Sequence, residues 1–188
     1  MLHPRPPNAN HHSAPDDVVA YWRASSDRWF EKDAAFDADF RDRFLDLHMA
    51  VAGRRHDQWI ETPGGALALL ILTDQFPRNA FRGTAHMYAT DPLARCYARQ
   101  ALEAGHMVRV EPDLRLFFCL PFAHSEDLAD QELSVRLNAR LGQPWREHAD
   151  GHRDIIRRFG RFPHRNCVLG RTMTPEEDAY LKGGGFPG

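Results

Sequence analysis

From Ala66 to Phe76 the chain is apolar on every side once it is wound at helical spacing. A helix with no polar face cannot lie at a surface, so it belongs at the centre of the fold with other elements wrapped around it. Thr62-Pro63 opens the segment, with proline at a position whose missing donor a helix does not need. Its longest unbroken apolar run, Ala66 to Leu72, is far below bilayer-spanning length. The segment predicts a core helix, and no membrane partner.

The flanking sequence supplies the wrapping. Asp16 to Trp22 predicts a short first helix. Phe36, Phe40, Phe44, Leu47 and Val51 form a stripe at helical spacing, with Asp33 as its cap and Gly53 as its stop. Asp91-Pro92 opens a helix that closes at Gly105, with Leu93, Tyr97, Ala101 and Ala104 inward. Glu111-Pro112 opens another through Leu114, Phe117, Phe118 and Phe122. Ser125 is placed to cap the next, whose seam is Ala129, Leu133, Leu137 and Leu141 up to Gly142; Glu126 and Asp127 complement its positive end. Pro144 starts a helix to Phe159, and Thr174-Pro175-Glu176-Glu177 is a capping box for the last. No run alternates with a period of two. The chain therefore predicts an all-α protein of successive antiparallel helical hairpins. One compact domain is expected over 16–182, between a disordered arm (1–15, without the apolar stretch of a signal peptide) and a flexible Gly-rich tail (183–188).

A net charge of -2 over 188 residues gives no general attraction to nucleic acid or anionic membrane. Only Lys32 and Lys182 among the 24 basic residues are lysine. Such a bias reads as coding composition, so an arginine counts only where its context singles it out. Cys96, Cys119 and Cys167 are odd in number and lack metal or disulfide spacing, which fits a reducing cytoplasm.

One turn signature occurs twice. Phe76-Pro77-Arg78-Asn79 runs on to Phe81-Arg82-Gly83-Thr84, and Phe162-Pro163-His164-Arg165-Asn166 runs on to Gly170-Arg171-Thr172. In each, an apolar segment meets proline, which disfavours helix at the residue before it. Each then presents an Arg-Asn pair expected to be exposed. Matched polar chemistry in two distant loops predicts one shared pocket, with Arg78/Asn79 and Arg165/Asn166 facing one cavity together with His124.

Asp74 ends the apolar segment and needs donors, for which Arg78 and Arg82 are at hand. A guanidinium left over would suit a carboxylate or phosphate. Arg161, His164, Arg165 and Asn166 would supply the other wall. His124 leaves the core at a helix end, where it could move a proton with Asp127 orienting its ring. His148 and His152 lie one turn apart on the seam of Trp145, Ile155, Ile156 and Phe159, expected to face inward, and His152 is nearer the second signature. Such a pair can chelate a metal, but a third ligand would have to come from elsewhere, such as His124 or Asp127. Cys167 has no identifiable base. No Gly-rich phosphate loop or nucleophile elbow is present, so the sequence names no cofactor.

The strings Trp29-Phe30-Glu31-Lys32-Asp33, Leu72-Thr73-Asp74-Gln75-Phe76-Pro77-Arg78-Asn79, Leu120-Pro121-Phe122-Ala123-His124-Ser125-Glu126-Asp127 and His152-Arg153-Asp154-Ile155-Ile156 running into Arg158-Phe159-Gly160-Arg161-Phe162-Pro163-His164-Arg165-Asn166 resemble a bacterial family, the domain of unknown function 924 family. The resemblance implies a compact all-α fold similar to tetratricopeptide-type hairpins. It implies no activity, cofactor or catalytic residue. Tyr21-Trp22-Arg23 departs from a Phe-Trp-Phe-like string of the family, and His148 lies outside its motifs.

The residues favour a pocket for a small anionic metabolite, without deciding between binding and proton-transfer catalysis. The alternative is a tetratricopeptide-like adaptor that clamps the terminal carboxylate of a peptide or protein. A metal-binding protein is the third reading.

Overall fold

The computed structural model describes residues 14–188, so the expected arm lies outside the described residues as far as position 13. Pro15 already belongs to the first helix. The chain runs through α1 (Pro15–Ala24), α2 (Ala34–Ala52), α3 (Pro63–Leu70), α4 (Phe76–Ala80), α5 (Asp91–Glu103), α6 (Leu120–Ala123), α7 (Leu128–Leu141), α8 (Trp145–Phe159) and α9 (Pro175–Lys182), with short 3-10 turns and a π-turn between. No strand occurs among the described residues.

The apolar segment is where its pattern requires. Every side chain from Ala66 to Leu72 is at most 1% exposed, and α1, α2 and α5 pack around it. Gly65 permits the approach on one side: a Cβ there would lie 2.1 Å from the Trp59 carbonyl oxygen. Asp33 caps α2, its carboxylate accepting from the N–H groups of Ala35 and Phe36 at 2.9 and 3.2 Å. The α2 stripe then buries Phe36, Phe40 and Phe44 against Tyr21 and Trp22.

Past Leu70 the structure departs from expectation. The sequence places the end of this helix at proline, yet the chain continues through a π-turn (Ile71–Gln75) straight into α4, with Pro77 inside. Pro77 has no N–H for the carbonyls four or five residues earlier. Side chains take both. Thr90 donates its hydroxyl to the Thr73 carbonyl at 2.6 Å, and the His48 ring lies 2.8 Å from the Leu72 carbonyl through Nδ1. The proline is tolerated because its orphaned acceptors have found other donors.

Two further boundaries differ. The helix expected from Pro112 to Phe122 is a 3-10 run (Pro112–Phe118) followed by the single turn α6, since Pro121 cannot donate back to Phe117. The cap of α7 is Asp127, which accepts from the Asp130 N–H at 3.0 Å, in place of Ser125. Ser125 is buried and donates to the Asp130 carboxylate at 2.8 Å.

Helices α7 and α8 pack along their length, joined by residues 142–144. The inner face of α8 and the following turn form a small second core of Ile155, Ile156 and Phe162 with Phe159 and Tyr180. Asp74, Arg78, His124 and Arg165 gather at the junction between this cluster and the main core.

Candidate functional site

The π-turn delivers Asp74 into the interior. Its carboxylate, 2% exposed, accepts from Gln75 Nε2 at 2.6 Å and meets the His124 ring at 2.8 Å through Nδ1. Arg78, one turn on, donates to the Asp74 carbonyl at 2.7 Å and comes within 3.3 Å of its carboxylate. The same guanidinium forks onto Asp91 at 2.8 and 3.0 Å. Burial alone would push Asp74 up, but Arg78, His124 and Gln75 hold it below its usual range, so it is ionised.

Arg165 reaches Asp91 from the opposite side. Its guanidinium carbon lies 4.5 Å from the ring centres of both Tyr88 and Phe162. It donates to the His124 carbonyl at 2.9 Å and stands 3.6 Å from Asp91. Its Nε is buried without a partner among the described residues. A guanidinium keeps its charge, so this is an unspent charged donor on a residue only 6% exposed.

His124 is the hinge of the arrangement. Burial, then the Arg78 charge, lower its pKa against the pull of Asp74, leaving a neutral ring. A neutral imidazole beside an ionised carboxylate places its proton on Nδ1, and Nε2 becomes the acceptor. Outward from it stand His152, with ring centres 6.4 Å apart, and then His164 across Phe162. Burial first and then neighbouring positive and imidazole groups bring His152 to about 3. Burial first and then Arg165 bring His164 to about 4. Both rings keep a buried Nδ1 with no partner among the described residues.

The predicted convergence is therefore half realised. Asp74, Arg78, His124 and Arg165 meet directly, with His152 and His164 in the next layer. Arg82 turns away, forking onto Asp37 of α2 at 2.8 and 3.0 Å and taking Asn79 with it at 2.9 Å. Arg161 forks onto Glu177 at 2.6 and 2.8 Å, and Asn166 is held between Glu177 and the Met173 sulfur. Neither Arg-Asn pair is exposed as expected: Asn79, Arg165 and Asn166 are buried and Arg78 nearly so, because internal partners serve most of their polar atoms, Arg165 Nε and Asn166 Oδ1 excepted. Asp127 is an exposed cap and does not orient His124; Asp74 takes that position. His148 is exposed instead of facing inward with His152. Among the described residues no group of three or more His, Cys, Asp or Glu side chains could hold a metal ion.

Three contributors escaped the sequence reading in these roles. Asp91 and Glu126 were legible only as acids at helix starts, and Tyr88 carried no signal. Asp91 is the shared counter-ion of both arginines. Glu126 forks onto Arg171 at 2.8 Å twice and accepts from the Phe162 N–H at 2.9 Å, which fastens the second turn to the His124 corner. An acid that is buried at a helix start, where solvent normally serves it, is the signal that marks Asp91.

An all-helical protein with a buried His-Asp pair between two arginines is the class that fold and site define. The chain belongs to the bacterial protein family of unknown function DUF924, whose model matches residues 18–185. It is similar to a solved protein of unknown function from Agrobacterium tumefaciens at 56% identity, with a TM-score of 0.88, covering 90% of this chain and 97% of that one. No curated protein matches it. Among the described residues no helix is long and apolar enough to cross a membrane.

Proposed function

We propose that this corner binds a small anionic metabolite at Arg165 and exchanges a proton with it through His124. One observation carries the reading: the Arg165 Nε is buried and unpaired beside an Asp74–His124 hydrogen bond of 2.8 Å. An unpaired buried donor is costly unless a ligand completes it. The carboxylate–imidazole arrangement fixes a tautomer with a lone pair at Nε2, as a general base requires. The internal charges of Arg78, Arg165, Asp74 and Asp91 balance, so an incoming anion would be held by directed hydrogen bonds more than by net field.

The test compares thermal shifts of wild type and Arg165→Met across small carboxylates and phosphates. Loss of the stabilisation in the variant is the expected result. Equal shifts for every anion would remove Arg165 from this role. Native mass spectrometry of the purified protein then identifies any retained metabolite.

A further inference from the structure

Residues 183–188, expected as a flexible tail, fold back over the outer histidines. The Phe186 ring centre lies 4.8 Å from that of His152 and 5.2 Å from that of His164. Both imidazoles in turn flank Phe162, at 5.4 and 5.5 Å, and Phe162 lies against Arg165. His152, His164 and Phe162 wall an aromatic slot one layer out from the Arg165 guanidinium, whose Nε is unpaired among the described residues. Phe186 fills it incompletely, being 38% exposed. It hangs on Gly183-Gly184-Gly185, where Gly184 has a φ of +87°, a conformation readily adopted only by glycine. Its backbone N–H is held by the Tyr180 hydroxyl at 3.0 Å, and Lys32 reaches the Gly188 carbonyl at 3.3 Å. A partly exposed benzyl group on this glycine turn could be displaced without disturbing the core.

We infer that the slot walled by His152, His164 and Phe162 receives the ring of an aromatic anion, and that Phe186 is the chain's own stand-in for that ring. This rests on the anion reading of Arg165 and adds the substrate class. Neutral imidazoles suit the role, since flat uncharged rings stack on an aromatic ligand without repelling its anionic group. Their unpaired Nδ1 atoms would serve a hydroxyl or carbonyl on the same ligand. A ring in the slot with its charged group directed past Phe162 would address Arg165 and His124 together.

The test uses three probes on the full chain by calorimetry, with imidazole NMR shifts to locate them: acetate (anion only), benzyl alcohol (ring only) and benzoate (both). Benzoate is expected to bind more tightly than either, shifting the His152 and His164 resonances. Phe186→Ala is expected to tighten benzoate about tenfold, as when a competitor occupying the site nine-tenths of the time is removed, and to leave acetate unchanged. The side chain is partly exposed on a hinge, so the substitution leaves the core intact. Benzoate no tighter than acetate, or unchanged by Phe186→Ala, overturns the slot. If benzyl alcohol gains as much as benzoate, and benzoate binds no better than benzyl alcohol, the slot stands and the anion site at Arg165 falls.

Discussion

Acidification from pH 7.5 to 5 charges every imidazole of the unfolded chain, while the folded protein resists charging the rings that burial depresses, His152 and His164 most of all. His152 and His164 are held neutral at about 3 and about 4, whereas in the unfolded chain each returns to about 6.5. Their folded values are depressed, so the unfolded state binds more protons below pH 6.5. The stability they contribute is fully present above that value and is lost as pH falls toward the folded values. At pH 5 each ring costs about 2 kcal/mol, and the pair about 4 kcal/mol, with a limiting slope near 2.5 kcal/mol per pH unit. Depressed carboxylates such as Asp74 and Glu177 act later, since their unfolded partners protonate only near pH 4. The assay is urea unfolding at half-unit pH steps, reading the midpoint at constant denaturant slope. His164→Gln is expected to remove about 1.5 kcal/mol of the loss between pH 6.5 and 5, the rest belonging to His152 and to His48 and His124, which burial also depresses. A flat stability profile over that window, or imidazole resonances of His152 and His164 titrating near 6.5, would refute the reasoning.

Other perturbations follow from the same geometry. Arg78→Met strands the buried Asp74 and Asp91 carboxylates and is expected to cost about 3–5 kcal/mol in unfolding free energy. Thr90→Val removes the donor that serves the Thr73 carbonyl, and is expected to cost about 1–3 kcal/mol. In a Pro77→Ala background the restored N–H can take that carbonyl, so a double-mutant cycle should show the Thr90 cost shrinking; strict additivity sinks the account of the π-turn. Asp127→Ala is expected to cost about 1 kcal/mol as a lost cap and to leave the His124 resonances in place. Asp74→Asn must move them, and the opposite pattern would restore Asp127 as the ring's partner.

Element types were legible because they rest on local period and capping. The apolar segment, the Asp33 cap and the Thr174 capping box all fall where spacing and side-chain reach put them. The 3-10 run before α6 leaves no local signal, because the apolar seam continues through it while the backbone tightens. Half of the site was legible for a different reason: a buried acid after an apolar run needs a donor, and Arg78 was within one turn. The remainder depends on side chains meeting across the chain. Arg82 and Arg161 carry the same local signature as Arg78 and Arg165, but Asp37 and Glu177 are positioned by α2 and α9 to claim them. Nothing within the signatures distinguishes an arginine claimed by Asp37 or Glu177 from one that turns to Asp91.

The two signatures also turn out to be physically unequal, and Pro77 explains why. In a regular α-helix each residue advances the face by about 100°, and a π-turn absorbs one extra residue without breaking the axis. Side chains after Gln75 are therefore rotated by about one residue relative to the core face set by Ala66 to Leu72. That rotation lets a wholly apolar helix hand over, within a single turn, to one that brings Arg78 back onto Asp74 in a polar corner. The second signature has no such helix to interrupt; Pro163 opens a 3-10 turn after the left-handed Gly160, and Arg165 arrives from outside the main core. The corner thus has one arginine locked into the central helix and fully served by two carboxylates, and one brought in by a turn with a donor to spare. The proposed ligand site turns on that asymmetry, because the first arginine fixes Asp74, Asp91 and hence His124, while the second keeps a buried donor unpaired among the described residues.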